Sequence, residues 1–201
     1  MNIYDLNLTK IREAIIADPD NQQFTDNNFM PIYQLSSHSK ILIIGQAPGL
    51  KAQNSGMIWN DKSGDRLRDW LGVLRDDFYN PDLFALLPMD FYYPGKAQTG
   101  DLPPRKKFGL KWLPQILSNL IEYKLVVLIG SYAQSYFLPE TKTMGLTEIV
   151  KNYRQYLPTY FPLSHPSPLN FRWRNRNPWF EEKVIPDLKI IVREILKNSA
   201  K

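Results

Sequence analysis

Two uninterrupted apolar runs constrain this chain more than any other feature. Lys40-Ile41-Leu42-Ile43-Ile44-Gly45 and Lys124-Leu125-Val126-Val127-Leu128-Ile129-Gly130 are rich in β-branched residues, and each ends on glycine. A strand with one wet face alternates apolar and polar residues, so a run apolar at every position belongs in a sheet covered on both faces. Phe84–Met89 and Tyr160-Phe161-Pro162-Leu163 read as two further buried strands. Helical periodicity fills the intervals. Residues 5–17 place Leu6, Leu8, Ile11, Ile15 and Ile16 on one amphipathic face, and Asp18-Pro19 stops the helix. Ser63 reads as the N-cap of a helix carrying Leu67, Trp70, Leu71 and Leu74, and residues 112–122, 131–137 and 178–198 also read as helical. Strands alternating with helices predict the α/β class: a three-layer α/β/α domain around a central, mostly parallel four-stranded sheet. The 201 residues fit one domain, 1–201, in which 1–39 is a helix followed by an irregular polar excursion. Tyr92–Lys111 reads as a long loop rich in proline and glycine.

Composition narrows the chemistry. With no cysteine, a disulfide framework, a thiolate zinc site and a cysteine-ligated iron–sulfur cluster are all excluded. Two histidines make an all-imidazole metal cage improbable, so neither metal nor cofactor is expected. No apolar stretch approaches the ~20 residues of a membrane span, and the first residues lack the layout of a signal peptide, which predicts a cytoplasmic protein with no membrane partner. The net charge of +5, from 25 Lys+Arg against 20 Asp+Glu, is a mild push toward an anionic partner.

Ligands of open α/β sheets bind beyond the carboxyl ends of the strands, and the unusual segments of this chain all fall there. Gly45-Gln46-Ala47-Pro48-Gly49 follows the first strand, Asp90–Gly95 the second, Gly130-Ser131 the third and Ser164–Asn170 the fourth. The glycine segment is neither G-x-G-x-x-G nor a Walker loop, so a nucleotide-phosphate cradle is a weak reading. It is a tight strand-exit turn that also aims backbone N–H groups outward. Ser164-His165-Pro166-Ser167-Pro168-Leu169-Asn170 is more specific, because its two prolines remove backbone donors around one histidine and two serines. Beyond it, Phe171-Arg172-Trp173-Arg174-Asn175-Arg176 interleaves arginines with aromatics, which suits phosphate contact and base stacking as well as a solvated helix entry. In Ile58-Trp59-Asn60-Asp61-Lys62-Ser63-Gly64-Asp65, the helix dipole explains Asp65 but leaves Asp61 in the preceding loop less well explained.

Taken together, Gly45–Gly49 and His165-Pro166-Ser167-Pro168-Leu169 resemble the two signature motifs of the uracil-DNA glycosylase superfamily. Asp61-Lys62-Ser63-Gly64-Asp65 is similar to the Asp-Arg-Ser-Gly-Asp stretch of its broad-specificity family-five branch, and overall the motifs are nearest the family-four and family-five type. The resemblance implies a DNA glycosylase of base-excision repair that acts on a flipped base, with a uracil-DNA glycosylase-like fold, and a monomer is expected. It implies that the backbone amides of Gln46 and Ala47 hold a base carbonyl, that Pro48 lines the base site and that Trp59 stacks on the base. Met89 and Asp90 stand where several branches read the base edge with asparagine. His165 would donate to the base as charge develops, Ser164 and Ser167 would grip phosphates, and Leu169 would wedge into the duplex. Asn170, Arg172, Arg174 and Arg176 would complete the DNA contact, with Arg105, Lys106, Lys107 and Lys111 as a second basic patch.

The departures matter as well. The first motif offers Gln46 and Ala47 where many members carry a carboxylate or asparagine, so Asp61 becomes the candidate to position water, with Asp90 in reserve. Uracil, hypoxanthine, xanthine and damaged bases all stay open as substrates. Tyr93-Pro94-Gly95-Lys96 and Gly100-Asp101-Leu102-Pro103-Pro104-Arg105 resemble a bacterial branch of the superfamily from which no role carries over. Two other readings stand beside the glycosylase: a lesion-binding protein that does not cut, and a hydrolase of free nucleosides or nucleic-acid adducts.

Overall fold

The computed structural model describes residues 2–198. Strands β1 (Ile41–Gly45), β2 (Phe84–Pro88), β3 (Leu125–Ile129) and β4 (Tyr160–Leu163) form one sheet in the order β2-β1-β3-β4. Every pairing is parallel: Ile41 lies opposite both Phe84 and Leu125, and Val126 lies opposite Tyr160. Pro162 sits in β4 at the sheet edge, where its missing N–H costs no interior ladder bond.

The main helices are α1 (Ile3–Ala17), α2 (Lys62–Leu71), α3 (Lys106–Leu117), α4 (Gly130–Phe137), α5 (Phe171–Arg176) and α6 (Ile185–Asn198). Successive strand residues face opposite sides of a sheet, and here the two sides bury different partners. Ile41, Ile43, Leu86, Val127 and Phe161 pack with Leu67 and Trp70 of α2 and with Leu188 and Val192 of α6. Leu42, Ile44, Leu87 and Leu128 pack with Ile15 of α1, Trp112 and Ile116 of α3 and Ala133 of α4. The uninterrupted apolar runs follow from these two covered faces. Each fully buried aliphatic side chain contributes about 1.5–3 kcal/mol.

Three local expectations change. The N-cap of α2 is Asp61 rather than Ser63, because the Asp61 side chain accepts from the Gly64 N–H at 2.9 Å. That helix ends at Gly72, which adopts the left-handed conformation (φ +70°), so Leu74 falls outside it and is 75% exposed. The third change is α3, which starts at Lys106 rather than near residue 112 and carries Pro114 inside it. The polar excursion is ordered: Gln34 bridges antiparallel to Leu86 and covers the outer edge of β2. Among the described residues, no helix is long and apolar enough to cross a membrane.

Candidate active site

The loops after β1, β2 and β4 meet beyond the carboxyl edge of the sheet around a cavity of about 240 Å³. That is below the ~300–1,000 Å³ of pockets for drug-sized ligands, and it suits a single ring system. The β1 exit turn Gly45–Gly49 forms one wall. The backbone of the β2 exit is tied to it, with Met89 N–H donating to Gly45 O at 2.9 Å and Asp90 N–H donating to Gln46 O at 3.2 Å.

Trp59 forms a second wall in a strained conformation, with φ +58° where a side chain is rarely tolerated. Two glycines make room for it. A Cβ on Gly45 would come within 2.9 Å of the indole, and one on Gly64 within 1.7 Å of the Trp59 carbonyl oxygen. The same loop is clamped from behind, where Arg68 donates to Trp59 O at 3.3 Å and Tyr79 OH donates to Ile58 O at 2.9 Å. Trp59 Nε1 is buried and has no hydrogen-bond partner among the described residues.

His165 lines the same cavity, its ring centroid 5.7 Å from that of Trp59 and tilted by 39°. The Ser167 N–H donates to His165 Nδ1 at 3.1 Å. An amide can only donate, so Nδ1 carries no proton and the neutral ring keeps its hydrogen on Nε2. Burial pushes the His165 pKa below the ordinary imidazole value, and the nearby Asp61 charge opposes that shift. Further bonds set the loop: Asn170 Nδ2 donates to His165 O at 2.9 Å, Leu169 N–H to Ser167 Oγ at 3.2 Å and Arg174 to Ser167 O at 3.2 Å. The arrangement offers a neutral ring donor, a strand-exit turn and two carboxylates, Asp61 and Asp101, around one ring-sized space. Such a set can stabilise an anion that forms on a departing ring.

A model of the uracil DNA glycosylase superfamily matches residues 32–189. The chain belongs to this superfamily. Its solved structural neighbours include a candidate uracil DNA glycosylase from Methanosarcina acetivorans. That protein is 17% identical over 82% of this chain and 98% of its own, with a TM-score of 0.46.

Of the residues that the sequence nominates for a uracil DNA glycosylase site, Gln46, Ala47, Pro48, Trp59, Asp61, His165 and Ser167 line the cavity together. Others are placed differently. Asp90 is fully buried outside the cavity wall, where Arg105 Nε and Nη2 hold its two oxygens at 2.7 and 2.8 Å, so neither water nor a base reaches it. Met89 is buried against Gly109 of α3. Ser164 is 1% exposed, and its buried hydroxyl is not presented to a phosphate. Arg174 is also buried, braced between Ser167 O and Glu181, and so acts as an internal support of the histidine loop rather than a DNA contact. Leu169, by contrast, is 85% exposed, and Arg172 and Arg176 are exposed beside it. In the second basic patch, Arg105 is paired with Asp90 and Lys111 with Asp18, leaving Lys106 and Lys107 on the first turn of α3.

The cavity wall also contains Lys51, Ser63 and Asp101, which sequence reasoning does not nominate. The sequence signal available for Asp101 is the pair of turn-forming glycines, Gly95 and Gly100, that leads into it. Among the described residues, no three His, Asp or Glu side chains gather as a metal ion requires.

Proposed function

We propose that the protein is a monofunctional DNA glycosylase that hydrolyses the N-glycosidic bond of uracil or a related deaminated base in DNA. The observation that carries this reading is the neutral His165, with Nδ1 occupied by the Ser167 amide, in one ring-sized cavity with the Gln46–Ala47 turn, Trp59 and Asp61. Breaking the bond leaves negative charge on the base and oxocarbenium character on the sugar. His165 Nε2–H and the strand-exit turn stabilise the base anion, Trp59 stacks on the ring, and Asp61 orients the hydrolytic water. Leu169 fills the gap left when the base flips out, an extrusion that costs a few kcal/mol. Arg172, Arg176 and Ser167 contact the DNA backbone.

Incubation with uracil-, hypoxanthine- or xanthine-containing oligonucleotides, followed by alkali, should convert abasic sites to strand breaks. Breaks that need alkali support a monofunctional enzyme, and no breaks on any of these substrates would refute the reading. The lesion-binding alternative draws on the first motif, which carries no carboxylate. It predicts lesion-dependent retention of DNA with every base still attached.

A further inference from the structure

We infer that Asp101 is a second catalytic carboxylate of this centre, the group that takes the proton of the hydrolytic water. The inference rests on the glycosylase reading and adds to it a residue that the sequence motifs do not assign. Residues 93–102 fold back as a hairpin in which Lys96 and Asp101 form a bridge. The Ala97 N–H donates to Gly100 O at 3.0 Å and the Leu102 N–H to Gly95 O at 2.9 Å, and the turn uses positive φ at both glycines (+107° and +77°). The hairpin lays Asp101 in the cavity wall against the β1 exit turn. Its Oδ2 lies 3.9 Å from where a Cβ on Gly49 would stand. Tyr93 OH donates to Oδ1 at 3.2 Å, which orients the carboxylate and leaves Oδ2 to accept from a water.

The two carboxylates of the cavity are not equivalent. Asp61 Oδ1 is held by the Gly64 N–H as a helix cap, and the Asp61 charge is the one that reaches His165. A carboxylate beside His165 also lies near the base anion that His165 stabilises. There, its negative charge repels the base anion as that anion forms. The β1 exit turn has no carboxylate of its own at Gln46 or Ala47, and the hairpin brings one to that turn from a distant part of the chain.

In the step, a lone pair of the water oxygen forms the bond to C1′ while the C1′–N bond breaks and its electron pair leaves with the base. The surplus proton of the water passes to Asp101 and then to solvent. The base anion, held by His165, takes a proton from solvent. Nothing is oxidised or reduced.

The test is single-turnover base release by wild type and Asp101→Ala, with and without added formate, on whichever deaminated-base duplex wild type cuts, alongside the Kd for that duplex. Asp101 is exposed, and matching unfolding midpoints establish that the variant is folded. The inference predicts a rate loss of about 100-fold or more, the lower range for general-base catalysis, with Kd changed less than about threefold and formate restoring part of the rate. A rate near that of wild type, a loss matched by weaker DNA binding, or a loss that formate does not relieve overturns the role of Asp101 while the glycosylase reading stands. A wild type that cuts none of the duplexes overturns both.

Discussion

His165 shows how a single backbone amide can fix the chemistry of a side chain. With the Ser167 N–H on Nδ1, protonating the ring would set two donors against each other, and burial disfavours the cation further. An NMR titration should therefore place the His165 midpoint below the ordinary ~6.5 of imidazole, and a midpoint at or above that value would contradict the placement. The sign for stability follows. Because the folded-state pKa is depressed, this contribution is fully present above the unfolded value near 6.5 and is lost as pH falls through the lower folded-state value. His165→Ala should cut the rate of base release at least ~100-fold, as losing a transition-state donor does. Asp61→Asn should do the same by removing the charge that orients the water and faces the oxocarbenium-like sugar, while keeping an acceptor for the Gly64 N–H, so its unfolding midpoint should stay close to wild type. Sequence patterns name residue types well and partners poorly. Asp90 and Arg174 read as a reserve carboxylate and a DNA contact, yet Arg105 consumes the first and the Ser167 carbonyl engages the second. Each pairing joins residues whose meeting depends on the fold, so neither is visible in a motif.

At the scale of elements, the fit of Trp59 between β1 and α2 is the feature most exposed to test. Gly64 admits the Trp59 carbonyl at a distance that leaves no space for a Cβ. Gly64→Ala should therefore destabilise the domain by about 1–3 kcal/mol or more, the range for overpacking, which corresponds to several degrees in Tm. An unchanged Tm would mean that the loop moves freely and that the left-handed Trp59 is not held in place. The strands are legible because two covered faces demand apolar residues at every position, and the short, β-branched runs that end on glycine separate them from a buried helix. The start of α3 was not legible. Pro103 and Pro104 precede it, Pro114 interrupts its periodicity, and lysines occupy its first turn, so the segment looks like loop until packing of Phe108 and Trp112 is seen. Both Asp61 and Ser63 suit the N-cap of α2 chemically, so the sequence alone does not separate them, and the bond from the Gly64 N–H decides for Asp61.

For the whole molecule, the net charge of +5 matters less than its distribution. Internal carboxylates take up Arg105 and Lys111, while Lys106 and Lys107 stay exposed on α3 and Arg172 and Arg176 stand exposed beside Leu169, where the proposed function places the DNA. Binding to DNA should weaken with salt, and Arg172→Ala or Arg176→Ala should each reduce the slope of log K against log salt by about one. Slopes equal to wild type in both variants would place the DNA elsewhere on the surface. On the proposed function, the cavity beneath the histidine loop releases a base. Chromatography of the supernatant from uracil-, hypoxanthine- and xanthine-containing DNA tests it most directly. Free base should appear in amounts equal to the abasic sites formed, falling at least ~100-fold in His165→Ala. No free base from any of these substrates, or equal release by the variant, would contradict it.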